Sequence, residues 1–422
     1  MTNLKQRLKN ILANHKTILQ NLSYLSMLHA FNMLVPLLTY PYLIRVLGKE
    51  TYGIIIFAQA VVGYFAILVG FGFNISATKE ISIHRDNKEK INEIVSSTLI
   101  IKGGLCLLSV LLFFGVLMFI EESKNYNLLF YLTLYLCVYE WLFPIWYFQG
   151  IEKMKYITYL NVISRSVFLI LIFVLIKNEA DYLYFPIVSG VGAILASVLA
   201  LYIVFKKHKV SLVFPKIKTL TFYFRESIPI FTSNLSLKLY AGSNKVIIGL
   251  FLGMQEVAYY DLGEKFLNLL KIPISAVSQV LFPKMANTFD KHLLKKIAKT
   301  VFVITLVFTV FIELFSAEII LVFAGEDMLG AVPALRILML SVAPLVLSNI
   351  LGVQTLLTNG YNNQFFVVVF SSFCVYAIYV TGCYFLNVLN LYTICFSYLL
   401  VEVYMLLHFS FFVNKYKLLH NH

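Results

Sequence analysis

Ionisable side chains inside long apolar stretches are the residues of this chain that most need a chemical explanation. Each such group costs at least about 2.5–3.5 kcal/mol at the centre of a membrane helix, so it requires a partner or a function. One polar stripe, at spacings i, i+4 and i+11 of a predicted helix, comprises Asn234, Lys238 and Lys245. A second stripe recurs every three to four residues and comprises Asp261, Glu264, Lys265, Asn268 and Lys271. Such spacing places each set on one helical face, which indicates a water-filled seam rather than lipid contact.

Lysine suits an anion site because its ammonium is a compact charge with three rotatable donors. The cationic candidates for binding are Lys238, Lys245, Lys271 and Lys265, with Asn234 beside them and Arg165 on an earlier helix. The carboxylates that could take up and release a coupling ion are Glu140, Glu402, Asp261 and Glu264. An alternative stays open, because Lys265 with Asp261 would form a structural ion pair, and Glu140 and Glu402 could equally partner a base.

Three other charges have simpler explanations in the sequence. Lys102 is predicted near the cytoplasmic edge of its helix, from which a long side chain can extend to water. Arg336 and Glu318 are predicted near the outer edge, where they could pair.

Composition shows which elements must position these groups. The 422 residues are 60% hydrophobic and only 13% charged, and the mean hydropathy is +0.82. Soluble domains carry about 25% charged residues, so lipid must replace water as the main solvent. About 20 apolar residues cross a bilayer as a helix. Predicted spans, all helical, lie near 18–44, 52–77, 96–119, 127–149, 157–176, 184–205, 228–252, 257–283, 299–322, 333–357, 364–386 and 391–413.

Basic residues orient these twelve predicted spans. With the N-terminus placed in the cytoplasm, 23 Lys and Arg residues fall in cytoplasmic segments and 4 in outer loops. Because Lys and Arg accumulate in cytoplasmic loops, both termini are predicted to be cytoplasmic. The net charge of +13 is then a consequence of topology and does not indicate nucleic-acid binding.

A repeated turn predicts an internal duplication of the chain. Leu47-Gly48 is followed by a short acidic turn and Tyr52, and Leu252-Gly253 is followed by a similar turn and Tyr259. Six predicted spans separate the copies, which indicates parallel repeats, as in transporters. The predicted organisation is an N-lobe over 1–205, a basic cytoplasmic linker over 206–226 and a C-lobe over 227–422.

Four stretches resemble one family. The longest runs from Pro36 to Gly48 and reads PLLTYPYLIRVLG; the others are Gly72 to Thr78, Pro144 to Lys153, and Tyr259 to Lys265 followed by Pro283. Together, over about residues 20 to 290, they resemble the polysaccharide-transport, or O-antigen flippase (Wzx-type), family of the multidrug/oligosaccharidyl-lipid/polysaccharide exporter superfamily.

The resemblance implies an all-α integral membrane protein of the bacterial inner membrane, with two pseudo-symmetric six-helix bundles around a central cavity. It also implies a flippase that moves undecaprenyl-diphosphate-linked oligosaccharide repeat units of O-antigen, or a similar surface polysaccharide, from the cytoplasmic to the periplasmic leaflet. Lys238, Lys245 and Lys271 would then bind the diphosphate and the acidic sugars. A polysaccharide polymerase and a chain-length regulator are the implied candidate protein partners.

Two alternatives stay open from the sequence. A multidrug exporter of organic cations would need carboxylates unmatched by bases, whereas here bases match or exceed acids. A membrane-embedded polysaccharide polymerase, which is an enzyme, typically has one long outer loop, whereas the predicted outer loops are about ten residues or shorter. The five cysteines show no CxxC pair and no histidine at metal spacing, so neither a metal nor a cofactor is predicted.

Overall fold

A computed structural model describes residues 16–121 and 123–419 of the chain. Within these ranges it does not describe the side chains at 16–19, 22, 25, 26, 29, 30, 233, 234, 236–241, 276, 279, 280, 283 and 284. The described residues are helical almost throughout and contain no strand. Because each helix satisfies its own backbone hydrogen bonds, this architecture suits a chain whose solvent is lipid.

Sixteen α-helices follow one another along the described chain. Those in the first part are α1 (Lys16–Gly70), α2 (Phe73–Ile83), α3 (Lys88–Leu117), α4 (Ser123–Thr133), α5 (Tyr135–Leu142), α6 (Ile145–Gly150), α7 (Met154–Leu175) and α8 (Tyr184–Tyr202). Those in the second part are α9 (Ile217–Phe251), α10 (Met254–Thr288), α11 (Lys291–Leu314), α12 (Ser316–Ala324), α13 (Val332–Leu340), α14 (Val342–Asn349), α15 (Asn362–Phe385) and α16 (Leu391–Lys415). Short 3₁₀ segments are Glu179–Leu183, Glu326–Ala331 and Leu357–Asn359, and π-helical segments are Ile203–Lys207 and Ile350–Leu356.

Nine segments of the described chain are long and apolar enough to cross a membrane. The first, Phe31–Ile83, covers the second predicted span and the later part of the first, and the other eight each correspond to one further predicted span. The remaining two predicted spans, 228–252 and 257–283, lie in α9 and α10, which are long helices but carry the two polar stripes. The residues of every predicted span are helical over most of their length, and the all-α membrane fold is confirmed.

The first helix changes direction at a glycine. Gly48 has non-helical dihedral angles, φ 74° and ψ 166°, between two helical stretches of α1. Gly253, the matching residue of the second copy of the turn, has φ 117° and ψ 169°. Residues with a Cβ rarely adopt such positive φ values, which explains the glycine at both places. Pro36 and Pro41 lie inside the helix, and neither is the residue with non-helical dihedral angles.

The chain divides into two compact units, one comprising Met1–Leu47 and Ala58–Leu235 and the other Gly48–Phe57 and Ser236–His422. In the first unit a large core gathers around Trp146 and Phe148, packed with Ile81 and Ile94. In the second unit a core cluster joins Val368, Phe409 and Val413. The segment 48–57 belongs to the second unit, although it precedes most of the first in sequence.

Candidate functional site

The predicted stripes of α9 and α10 meet in a compact charged cluster in the second unit. The ammonium of Lys245 lies 2.7 Å from Asp261 Oδ1 and 2.6 Å from Glu264 Oε2. Lys265, one turn after Asp261, forms an ion pair with the other oxygen of the same carboxylate. Two bases and two acids are thus joined through the side chain of Asp261, which is almost completely buried.

Tyr52 completes this cluster from the repeated turn. Its hydroxyl donates to Asp261 Oδ2 at 2.9 Å and accepts from Lys265 Nζ at 2.9 Å. The Lys265 ammonium also lies 5.5 Å from the centroid of the Tyr52 ring, within the range of a cation–π interaction. Sequence analysis missed this role of Tyr52, because more than 200 residues separate it from its partners. The one feature of the sequence that singled out Tyr52 was its place in the repeated turn.

The cluster carries no net charge, since two lysines balance two carboxylates. It corresponds to the structural alternative for Lys265 with Asp261, and it extends the same pairing to Lys245 and Glu264. Burying charges is tolerable only when they are paired and hydrogen-bonded. The arrangement therefore ties α9, α10 and the segment 48–57 together, and any binding or coupling role for these four residues stays a prediction.

A neutral hydrogen-bond chain lies next to the charged cluster. Asn244, fully buried beside Lys245 in α9, donates from Nδ2 to the Tyr260 hydroxyl at 2.9 Å. Its Oδ1 accepts from the Tyr376 hydroxyl at 2.7 Å. These three residues show no periodic pattern in the sequence. The chain connects α9, α10 and α15 and fixes the side of α9 that carries Lys245.

Lys271 stands apart from the paired cluster, further along α10. Its ammonium lies 5.0 Å from the centroid of the Tyr398 ring. Glu402, one turn after Tyr398 in α16, interacts with it electrostatically. The Glu402 carboxylate accepts from Ser348 Oγ at 3.3 Å. No carboxylate of the described residues lies within ion-pair distance of Lys271, so its positive charge is only partly balanced.

In the first unit, Lys102 and Glu140 form an isolated ion pair. The Lys102 side chain has no exposed surface, and its ammonium lies 3.3 Å from Glu140 Oε1. The prediction that Lys102 extends to the cytoplasmic surface is therefore wrong, because α3 and α5 bury it. Asn74 also donates to Glu140 Oε1, at 3.4 Å. Glu140, a candidate for ion coupling, thus has the base partner that the alternative explanation required.

Arg165 has no carboxylate partner among the described residues. It is half-buried on α7, and no carboxylate of the described residues lies within ion-pair distance. The groups that influence it electrostatically are the phenols of Tyr135 and Tyr139, on neighbouring turns of α5. Tyr139 in turn donates to Asn161 Oδ1 at 3.2 Å. Arg165 is therefore a guanidinium among neutral polar groups, which is an arrangement suited to an incoming anion.

The other predicted charges are soon accounted for. Arg336 Nε donates to Ser316 Oγ at 2.7 Å and lies 3.9 Å from Glu313 Oε2, so its acidic neighbour is Glu313 rather than Glu318. The side chains of Asn234 and Lys238 lie outside the described part of the chain, and their predicted roles stay predictions. Among the described residues, no group of three His, Cys, Asp or Glu side chains could hold a metal ion.

Comparison with known proteins identifies relatives over most of the chain. A sequence profile of the family described as "Polysaccharide biosynthesis protein" matches residues 18–289. A protein of Escherichia coli (strain K12) named "Putative O-antigen transporter" is 26% identical over 358 residues, which cover 83% of this chain and 86% of the relative. A relative of the same name from Shigella dysenteriae is 27% identical over 271 residues, covering 64% of this chain and 67% of that protein.

Solved structures resemble this one in fold. The lipid II flippase MurJ in an inward closed conformation matches with a TM-score of 0.77 and 15% identity, over 92% of this chain and 87% of that one. An inward-facing multidrug resistance MATE family transporter of the MOP superfamily matches with a TM-score of 0.71 and 15% identity, over 91% and 95%. At this identity the likeness concerns the fold alone.

Proposed function

The chain belongs to the polysaccharide biosynthesis protein family and is a multi-pass bacterial membrane transporter, not an enzyme, and from this premise we propose that it flips lipid-linked oligosaccharides. The proposed substrate is an undecaprenyl-diphosphate-linked repeat unit of O-antigen or a similar surface polysaccharide. The proposed direction is from the cytoplasmic to the periplasmic leaflet of the inner membrane, by alternating access, with both termini in the cytoplasm. Both relatives are named as O-antigen transporters, which supports a substrate from surface-polysaccharide synthesis.

The observation that carries the proposal is that most carboxylates inside the helices are paired with a base, whereas two of the cations are not paired with a described carboxylate. The carboxylates of Glu140, Asp261 and Glu264 each contact a lysine, whereas Arg165 and Lys271 have no carboxylate at ion-pair distance among the described residues. Among the described side chains inside the spans, Arg165 of the first unit and Lys271 of the second thus each keep an incompletely balanced charge. A diphosphate supplies the missing negative charge and several acceptors, and charge-assisted hydrogen bonds of this kind are the strong ones.

The same observation argues against an exporter of organic cations. Such a substrate requires a carboxylate whose charge is free to pair with it, because burying an unpaired cation is costly. The Glu402 carboxylate accepts a hydrogen bond from Ser348 Oγ and interacts electrostatically with Lys271. Our proposal keeps Glu402 as a candidate for ion coupling rather than for cation binding, with Glu140 as the second candidate.

Complementation in cells tests the substrate class. In a strain that lacks its own O-antigen flippase, Arg165→Ala, Lys271→Ala and Lys238→Ala are each expected to lower surface polysaccharide strongly and to leave membrane abundance normal. Lys177→Ala is the matched control, because Lys177 is an exposed lysine in a predicted outer loop. Normal export by all three variants, at normal abundance, would overturn the proposed binding site.

The membrane potential is the proposed direct energy source. Outward movement of an anion is favoured by about 2.3 kcal/mol per charge per 100 mV, and a diphosphate carries about two charges. Unliganded cations would be drawn inward, which resets the carrier. In proteoliposomes at equal pH and equal sodium, an imposed potassium-diffusion potential should change the translocation rate with its sign. A rate indifferent to that potential would shift the energetics to ion coupling at Glu140 or Glu402.

A further inference from the structure

A group of basic and aromatic side chains in the first unit lies outside the proposed transport residues. We call it the basic aromatic cluster and define it as Lys153, Lys155, Tyr156, Lys207 and His208. Two of its lysines come from different spans and converge on one ring. The ammonium groups of Lys155, on α7, and Lys207, at the end of the π-helical segment after α8, each lie 5.4 Å from the centroid of Tyr156.

His208 contacts two tyrosines at this cluster. Its Nδ1 lies 3.1 Å from the Tyr147 hydroxyl, which holds the ring in place. Its ring packs edge-on against Tyr156, with the centroids 5.5 Å apart. Burial, assisted by the neighbouring Lys153, Lys207 and Lys155, lowers the pKa of His208 to about 4, so the ring is neutral at physiological pH. Among the described residues, the titratable groups that face it are these three lysines and the Tyr147 and Tyr156 phenols.

Carboxylates do not balance these lysines. The nearest acidic residue in sequence, Glu152, directs its carboxylate to Arg85, with Oε2 3.4 Å from Nη1. None of the described carboxylates forms an ion pair with Lys153, Lys155 or Lys207. Three positive charges therefore surround a neutral histidine, and each would gain from a shared anion.

The surface next to the cluster is apolar, which favours an anion that belongs to a lipid. One turn after Lys155 along α7, Tyr159 is 48% exposed, and Ile163 follows at 54%. On the neighbouring α8, Tyr202 and Val198 are also exposed, one to two turns before Lys207. Both helices are apolar enough to cross a membrane. An apolar surface thus leads from the cluster into the hydrocarbon, where acyl chains can lie.

We propose that the basic aromatic cluster binds the phosphate group of an acidic phospholipid on the face that the basic residues predict to be cytoplasmic. The phosphate lies between Lys155 and Lys207, receives hydrogen bonds from their ammonium groups, and is within the field of Lys153. The acyl chains follow the exposed residues of α7 and α8. Basic pockets between spans on the cytoplasmic side are typical sites for acidic lipid headgroups.

Lipid retention measured by native mass spectrometry tests this site. The protein is reconstituted in nanodiscs of phosphatidylcholine with a graded fraction of phosphatidylglycerol, and then released into detergent. The double variant Lys155→Gln/Lys207→Gln should lose preference for phosphatidylglycerol by about fivefold per lysine removed. The control Lys216→Gln/Lys218→Gln removes two exposed lysines elsewhere in the same basic segment and should retain the preference.

Two further measurements separate the sources of the phosphate. Inorganic phosphate at millimolar concentration should not displace the retained lipid, and ¹³C-histidine NMR, assigned with His208→Gln, should show the His208 pKa rising when phosphatidylglycerol binds. Equal losses in both double variants would overturn the site, since they would indicate attraction by the whole basic face. Displacement by inorganic phosphate would overturn the lipid as its ligand.

Discussion

The two units solve the problem of charge inside apolar helices in different ways. The first unit holds one isolated pair, Lys102 with Glu140, and leaves Arg165 among neutral polar groups. The second unit joins four charges and a tyrosine into one cluster through Asp261. Both residues of the isolated pair can be replaced together without leaving a third charge unpaired. The cluster, in contrast, connects segments that are distant in sequence. The ion pair of the first unit thus depends on two side chains, whereas the Asp261 cluster of the second unit depends on five.

This difference separates two uses of a buried base. A lysine that forms ion pairs with carboxylates has its charge neutralised within the protein, and it stabilises the fold. Arg165 and Lys271, without carboxylate partners among the described residues, keep a charge that an anionic substrate can satisfy. We make four predictions about the two units, ordered from the largest expected effect to the smallest.

Breaking the cluster at Lys245 should have the largest effect on stability. Lys245→Met leaves Glu264 without its ion-pair partner and removes one of the two bases on Asp261. Removal of one partner from a buried pair costs about 3–5 kcal/mol, measured as the free energy of unfolding in detergent. The double variant Lys245→Met/Glu264→Gln should recover only part of that loss, because Asp261 keeps a single base. Full recovery would show that the four residues do not form a network.

The isolated pair should behave differently in the same assay. Lys102→Met leaves Glu140 without a base in the described structure and should cost about 3 kcal/mol. Lys102→Met/Glu140→Gln should return stability nearly to the wild-type value, because no third charge depends on the pair. If the double variant is as unstable as the single one, the pair is not isolated and the comparison between the units fails.

The repeated turn offers a test that involves no charge. A Cβ on Gly53 would lie 1.8 Å from the Met254 carbonyl oxygen, at the start of α10, so the backbone must move. Gly53→Ala should therefore destabilise the protein by about 1–3 kcal/mol, as other overpacked sites do. Gly63→Ala, in the same helix but with nothing within 4 Å, is the control and should be neutral or stabilising. Equal stability of both variants would contradict the close contact between Gly53 and Met254.

The smallest expected effect is on pH dependence. Burial and neighbouring lysines lower the pKa of His208 to about 4, below its ordinary value near 6.5. The unfolded chain then binds more protons at this residue between these values, so its contribution to stability is complete above pH 6.5 and is lost as the pH falls towards 4. The melting temperature should fall less between pH 7.5 and 5 in His208→Gln than in the wild type. An identical fall would contradict the lowered pKa.

Much of the fold was predictable because hydropathy has a clear physical period and length. Each predicted span has a helix, and the repeated Leu-Gly turn correctly marked Gly48 and Gly253 as backbone breaks. The kink at Gly48 separates the two helical stretches of α1, and it falls between the first two predicted spans. The π-helical segment Ile350–Leu356 carries no pattern in the sequence that distinguishes it from α-helix.

Side-chain partners were less predictable. Helical spacing brings Lys265 and Asp261 together, so that pair could be proposed from i, i+4 positions alone. Lys102 and Glu140 lie 38 residues apart on different helices, and only packing shows that they meet. Without that information, a lysine near a span end is reasonably assigned to the surface. Tyr52 was missed for the same reason, because a neutral residue gives no signal of a charged partner.

Translocation by purified protein in vesicles tests the central claim most directly. A fluorescent undecaprenyl-diphosphate oligosaccharide is placed in one leaflet, and its appearance in the other is followed with a membrane-impermeant quencher. Arg165→Gln and Lys271→Gln should each lower the initial rate by about tenfold to a hundredfold, the value of a lost hydrogen bond to a charged group. The control Lys177→Gln, at an exposed lysine of a predicted outer loop, should stay within about threefold of wild type. Unchanged rates in Arg165→Gln and Lys271→Gln would contradict the account.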